Sequence, residues 1–202
     1  MKLYYSPGAC SLSPHIVLRE AGLPFQLATA STKTKKLADG SDYLTINPLG
    51  YVPLLELDDG QRIHEGPAIV QYVADRVPEK KLAPAWGSFE RYRLQEWLTF
   101  TGTELHKNFS PVYVPTSPPE WKAVARALLE RRLDAAGRLL GDRAYTVGDA
   151  FSVADAYLFT VLGWMRLIDI DIARWPNLAD FHGRIGQRPA VLKVMRDEGL
   201  VR

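Results

Sequence analysis

No segment beyond His64 reads as a strand, so any sheet this chain builds is confined to its opening residues. There, strand-like and helix-like patterns alternate. Lys2–Tyr5 is a short apolar run suited to a strand, and Ser11–Ala21 carries Ile16, Val17 and Leu18 as the body of a helix that stops at Gly22. Phe25–Ala30 reads as a second strand. A polar stretch, Ser31–Ser41, and a helical turn at Tyr43–Asn47 lead to a third strand, Val52–Leu57. Asp58-Asp59-Gly60 turns the chain into a return strand, Arg62–His64. Pro67–Val77 then spaces Ile69, Val70, Tyr72 and Val73 as a helix. The order βαβ, irregular chain, ββα predicts a small mixed sheet with helices on its faces.

After a proline-bearing, apolar-poor stretch at Pro78–Pro84, only helical patterns remain: Trp86–Ser110, Glu120–Leu140, Val153–Leu167, Asn177–Gly186 and Ala190–Glu198. Ser152 with Asp155 three residues on is a capping-box signature for the third of these. The expected organisation is an α/β domain over residues 1–77, a linker over 78–85 and an all-α domain over 86–202. A hydrophobic fraction of 47% supplies a packed core for such domains. A net charge of +2 is too weak a bias to point to nucleic acid. No apolar run approaches the ~18 residues of a membrane span, and no signal peptide is expected behind Lys2.

Cys10 is the only cysteine, which excludes an internal disulfide and fits a reducing cytoplasm. It follows the turn Ser6-Pro7-Gly8-Ala9 and stands at the start of a predicted helix. There, unpaired N–H groups and the dipole favour a thiolate. Free cysteines are also among the most buried residues, so packing and chemistry both stay open for it. Ser13 occupies the place where a dithiol oxidoreductase carries its second cysteine, so release of a mixed disulfide needs an external thiol such as glutathione.

Four further groups of residues stand out. Pro53 marks the beginning of a strand or a special turn, and a cis bond after Val52, found at only about 5–6% of X–Pro bonds, would present Val52's backbone to a ligand. Glu65-Gly66-Pro67 opens a helix whose free N–H groups suit a carboxylate, with Glu65 suited to an amine. An ordinary helix cap with a solvated glutamate is the plainer alternative. Thr99, Thr103, His106 and Ser110, at i, i+4, i+7 and i+11, give one helix face small hydroxyls and a histidine in place of the usual charges. That face fits the wall of a polar groove, in which His106 stabilises a thiolate or moves a proton, or else a partly exposed histidine. Lys33, Lys35 and Lys36 form either a solvated face or an anion-attracting border, and Phe109, Val112, Tyr113 and Trp164 form either core or an apolar pocket. The remaining histidines, His15, His64 and His182, lack metal-ligand spacing, so no metal is expected.

Taken together, the opening residues Lys2 to Ser13, the segment Asn47-Pro48-Leu49-Gly50-Tyr51-Val52-Pro53, Glu65-Gly66-Pro67-Ala68-Ile69, Glu104-Leu105-His106-Lys107 and Phe151-Ser152-Val153-Ala154-Asp155-Ala156-Tyr157 resemble the bacterial beta-class glutathione S-transferases over the whole chain. The resemblance implies a thioredoxin-like N-terminal domain, an all-α C-terminal domain, a homodimer, and glutathione as co-substrate in a cleft between domains. It implies that Cys10 contacts or disulfide-bonds the glutathione sulfur with His106 close by, and that Tyr5 and Ser11 lie near it. It assigns the cysteinyl backbone of glutathione to Val52 before a cis Pro53, the γ-glutamyl end to Glu65 and Gly66, and further contacts to Lys35, Thr103 and Lys107. Two positions depart from the pattern. Thr99 stands where the class often has an asparagine reaching the partner subunit's glutathione, and Gly66 replaces the serine common in the wider superfamily. The implied activity is conjugation of glutathione to small hydrophobic electrophiles through a thiolate stabilised by Cys10 and His106. The alternatives are glutathione-dependent thiol–disulfide or dehalogenation chemistry with Cys10 as nucleophile, and a non-catalytic binding module.

Overall fold

The computed structural model describes residues 1–201, which form two compact units: residues 1–83 together with 188–201, and residues 84–187. In the first, β1 (Lys2–Tyr5) pairs in parallel with β2 (Gln26–Thr29) and antiparallel with β3 (Leu54–Glu56), and β3 pairs antiparallel with β4 (Arg62–His64), giving the order β2-β1-β3-β4. A parallel pair needs a crossover, which α1 (Leu12–Ala21) supplies. Adjacent strand residues point to opposite faces, and Leu3 and Tyr4 are both buried, so β1 is covered on both sides. Tyr4 and its cross-strand partner Leu54 form one cluster with Ala30, Tyr43 and Val52. Leu3 opposes Leu55, and α1 packs with α2 (Gly66–Asp75) through the wholly buried Ile16, Val17, Ile69 and Val70. β3 is shorter than its sequence pattern. Pro53 has no N–H to give the ladder, and the Val52–Pro53 bond is cis.

The C-terminal helix, Pro189–Asp197, belongs to this first unit and not to the all-α domain expected over 86–202. It is tied to α1 by charged groups. Arg188 donates to both carboxylate oxygens of Glu20 at 2.7 and 3.1 Å, and Arg19 donates to Asp197 at 3.3 Å. Glu198 follows, wholly buried at its side chain. One oxygen lies 2.8 Å from His15 Nδ1 and the other accepts the Gly8 N–H at 2.9 Å.

In the second unit Ser88 caps α3 (Phe89–Phe100) by accepting the Arg91 N–H at 3.2 Å. The helix continues without a break through a π-helical turn, Thr101–His106, where the Lys107 N–H reaches back to the Gly102 carbonyl, and into α4 (Lys107–Tyr113), which contains Pro111. The single α-helix expected over Trp86–Ser110 is therefore two α-helical segments in different registers. α5 (Pro119–Leu140), α6 (Val153–Leu162) and α7 (Pro176–Gly186) complete the unit. Every residue of α6 is buried, and α3 and α7 both pack on it, as befits a helix apolar all round. Its start is fixed by Asp155, which accepts the Ser152 and Thr146 N–H groups at 2.7 Å each. It ends at Leu162 ahead of Gly163, and Met165–Ile168 is a separate 3₁₀ turn.

Removing the Glu198 carboxylate breaks its buried bond to His15 Nδ1 and its bond to the Gly8 N–H. Glu198→Ala is expected to cost about 3 kcal/mol, the scale for breaking a buried ionic or charge-assisted pair, measured by urea unfolding of otherwise identical proteins. A loss below half a kilocalorie would show that water replaces the carboxylate.

Candidate functional site

In the first unit the site residues gather around the loop that precedes α1. The Ser11 hydroxyl donates to the Ser6 carbonyl at 3.2 Å and accepts the Ser6 N–H at 3.1 Å, closing the loop on one side, while Glu198 holds Gly8 on the other. Ser11 is wholly buried, so its side chain builds the loop. Tyr5 lies edge-on to His15 with ring centres 6.0 Å apart. Cys10 points its thiol at the Val52 carbonyl, 3.1 Å away. Burial pushes that thiol up to about 11 and the Glu65 carboxylate pushes the same way, outweighing the Cys10 and Ser11 N–H groups that favour the anion. The lowered thiol expected from a helix start is therefore reversed, and Cys10 is a hydrogen-bond donor.

Glu65 precedes α2 with φ 67°, a conformation that costs a non-glycine residue on the order of 1–3 kcal/mol. Its carbonyl accepts the Ala68 and Ile69 N–H groups at 3.0 Å, while its exposed side chain caps nothing and makes no ion pair among the described residues. A Cβ on Gly66 would lie 3.9 Å from Pro53 Cγ, ordinary contact, so the serine of the wider superfamily would fit here. Lys35 also takes a positive φ, 58°. Its ammonium donates to the Gly50 carbonyl at 2.9 Å and stands over the Tyr51 ring at 5.1 Å, which removes it from the solvated face that Lys33 and Lys36 keep.

In the helical unit the π turn breaks the α-helical spacing assumed for Thr99, Thr103, His106 and Ser110. Thr99, Thr103, Lys107 and Ser110 are exposed, and the Thr103 hydroxyl donates to the Thr99 carbonyl at 3.0 Å. His106 is half-buried. Its Nδ1 lies 2.7 Å from the Tyr157 hydroxyl, and its ring meets Trp164 edge-on at 4.7 Å. Burial, with the neighbouring Lys107 charge, lowers its pKa to about 4, so the imidazole is neutral at neutral pH. Phe109 packs edge-on against Trp164 at 5.7 Å. Val112 and Tyr113 instead line an open groove of about 400 Å³ with Lys122, Arg126, Leu167 and Ile168. Of the four residues read as core or an apolar pocket, Phe109 and Trp164 meet each other and Val112 and Tyr113 border this groove.

Residues 8–76 match the glutathione S-transferase N-terminal domain family, and residues 119–184 match its C-terminal domain family. Glutathione S-transferase GstA of Escherichia coli O157:H7 is 44% identical over 99% of this chain and 100% of that protein. The beta-class glutathione S-transferase of Sphingomonas chungbukensis is 47% identical, with TM-score 0.96 and complete coverage of both chains. A sphingomonad glutathione S-transferase complexed with glutathione is also 47% identical, with TM-score 0.95 and complete coverage of both. The chain belongs to the bacterial beta-class glutathione S-transferases.

The transferase fold accounts for both units: the mixed sheet with α1 and α2 is its thioredoxin-like part, and α3 to α7 lie in its helical part. Two residues of this transferase escaped the sequence reading. Tyr157, seen only as part of a family segment, bonds His106, and Glu198, seen only as the end of a helix, bonds the Cys10 loop. No helix is long and apolar enough to cross a membrane among the described residues.

Cys10 is expected to react with iodoacetamide far more slowly at pH 7.5 than a free cysteine, with a rate rising about tenfold per pH unit until about pH 11. A rate plateau below pH 8 would mean a stabilised thiolate. A second prediction concerns the buried imidazoles. His182 stacks on Phe159 at 4.5 Å and, through burial and the nearby Arg166, also has a pKa lowered to about 4. A lowered folded pKa gives stability that is present above the unfolded value of about 6.5 and is lost as pH falls toward 4. Thermal melts should fall between pH 7 and pH 4.5, and fall less in His182→Phe, which keeps the stack and removes the titration.

Proposed function

We propose that this transferase binds glutathione, holds its sulfur as the thiolate and directs it at small hydrophobic electrophiles. The observation that carries the reading is Glu65. Its carboxylate is exposed and makes no ion pair among the described residues, on a strained backbone, at the N-terminus of α2. Strain kept at such a position needs a use, and an amino-acid end supplies one: an ammonium for the carboxylate and a carboxylate for the Gly66 N–H and the helix dipole. The γ-glutamyl end of glutathione has both groups, and the sphingomonad relative is named as a glutathione complex. Val52 then takes the cysteinyl backbone, Lys35, Thr103 and Lys107 make further contacts, and Thr99 is too short for the reach of the asparagine it replaces.

In this reaction the glutathione S–H gives up its proton to solvent and the thiolate attacks the electrophilic carbon. A C–S bond forms and the leaving group departs with its electron pair. Cys10 turns its one S–H from the Val52 carbonyl, which the cysteinyl backbone of glutathione then takes up, to the sulfur, and His106, neutral, donates an N–H to it. The thiol–disulfide alternative has less support, because it needs Cys10 as the anion, and a thiol near 11 is ionised to about one part in ten thousand at pH 7. Phe109 and Trp164 beside His106, and Val112 and Tyr113 on the groove, supply apolar surface for the electrophile. The transferase works as a homodimer in the cytoplasm. The exposed Trp86, Phe89 and Tyr92, at the start of α3 and just before it, offer an apolar face for the second copy.

Glu65→Gly separates binding from folding. Relief of the strained φ is expected to raise stability by roughly 1 kcal/mol, while loss of a charge-assisted bond should weaken glutathione at least about tenfold by calorimetric titration. Unchanged affinity would remove Glu65 from the site. Retention on immobilised glutathione and turnover of an aryl halide test the reaction class itself. For assembly, Tyr92→Asp should convert a dimer to monomer in sedimentation velocity, and a wild-type protein that sediments as a monomer would end that part of the reading.

A further inference from the structure

We propose that Tyr157 is a positioning residue that fixes His106 in the Nε2–H tautomer, so that a neutral N–H donor, and not a basic nitrogen, is presented to the glutathione sulfur. The proposal rests on the role given to His106 above. The geometry begins with the 2.7 Å contact between the Tyr157 hydroxyl and His106 Nδ1. Tyr157 is buried on α6, the helix enclosed along its whole length, so the hydroxyl is held by packing. The π turn brings its own backbone to the same place. A Cβ built on Gly102 would stand 3.6 Å from the Tyr157 hydroxyl oxygen and 3.8 Å from the ring, ordinary contact distances, so the backbone of the turn packs directly beside that hydroxyl. Trp164, edge-on at 4.7 Å, hinders the ring flip that would exchange Nδ1 and Nε2.

Elementary acidity then sets the direction of the bond. A phenol O–H is a stronger acid than the N–H of a neutral imidazole, and an imidazole nitrogen is a stronger base than a phenol oxygen. The hydroxyl therefore donates to Nδ1, and the ring's one proton sits on Nε2. Burial keeps the ring uncharged, consistent with its lowered pKa of about 4. An N–H with a fixed direction stabilises a sulfur anion through a hydrogen bond and cannot take the proton back from the thiol.

Long-range ¹H–¹⁵N correlation on ¹⁵N-labelled, ligand-free wild-type protein reads the tautomer directly. The expected pattern has an unprotonated Nδ1 and a protonated Nε2 in His106, and the reverse pattern overturns the proposal. In Tyr157→Phe the same spectrum should move toward a mixture of tautomers, and kcat/KM should fall about fivefold, the scale of one hydrogen bond. An unmoved spectrum in Tyr157→Phe also overturns it. Side-chain mimicry gives an independent arm, because a glutamine amide nitrogen stands in for Nε2 and an asparagine nitrogen for Nδ1. His106→Gln should retain several-fold more kcat/KM than His106→Asn. Combining Tyr157→Phe with His106→Asn should add no further loss, whereas a full additive loss would show that Tyr157 acts without His106. If the tautomer is as expected yet neither His106 variant lowers kcat/KM, the role of His106 at the sulfur has failed, and the catalytic half of this inference with it.

Discussion

Glu198 answers two separate needs with its two oxygens: His15 on α1 takes one, and the Gly8 N–H in the loop before α1 takes the other. A carboxylate with no exposed surface is costly unless its oxygens find partners, and here each oxygen has one. The contact spans 190 residues of sequence on the Gly8 side, so the loop that carries Cys10 is complete only when the last helix is in place. Ser11 closes the same loop from within by bonding Ser6 in both directions. The direction of the Cys10 thiol, toward the Val52 carbonyl, is set by these bonds on either side of it. This explains why a helix late in the chain clusters with the sheet: the polar partners of it and its flanking residues, Glu20, Arg19 and His15, are all on α1.

The same loop shows where local reasoning about a side chain runs out. A cysteine ahead of a helix does meet N–H groups that favour its anion, and those of Cys10 and Ser11 act in that sense. Burial acts against them and is larger. Helix position can be read from a sequence, but the depth of a sulfur within a fold cannot, and the balance of two opposed effects decides whether the residue is a nucleophile or a donor. Lys35 is a second instance. Three lysines in four residues read as either a solvated face or an anion-attracting border, and a left-handed backbone folds one of them onto Gly50 and Tyr51.

The legible parts of the fold were those with a local cause. A short apolar run marked β1, the Asp58-Asp59-Gly60 turn marked the return strand β4, Gly22 marked the end of α1, and Ser152 with Asp155 marked the start of α6. What was not legible had a cause elsewhere. Pro53 shortened β3, α6 stopped at Leu162 although apolar residues continue to Leu167, and the π turn interrupted a helix whose sequence keeps helical spacing. A π turn leaves no periodic trace, because it is one wide turn with i→i+5 bonding inside an otherwise ordinary helix. The site divides in the same way. Cys10, Glu65 and His106 stand in short segments that can be recognised, whereas Tyr157 bonds His106 across 51 residues, a pairing that only the packed helices reveal.

The side chains we propose for the sulfur, Cys10 and His106, are both uncharged at neutral pH, one held far above that range and the other far below it. A buried cation would stabilise a thiolate more strongly, but it would carry its own desolvation cost through every stage in which the sulfur is protonated or already bonded to carbon. Neutral donors avoid that cost. They favour the anion by hydrogen bonding while it exists and impose little when it does not, which suits a sulfur that begins as a thiol and ends as a thioether. Because one group titrates near 4 and the other near 11, neither changes charge in the interval between. On the proposed reading, the ionisation that governs conjugation within that interval belongs to glutathione; what each unit supplies by itself is a neutral donor of fixed direction, Cys10 in a loop held by Ser11 and Glu198, and His106 bonded to Tyr157.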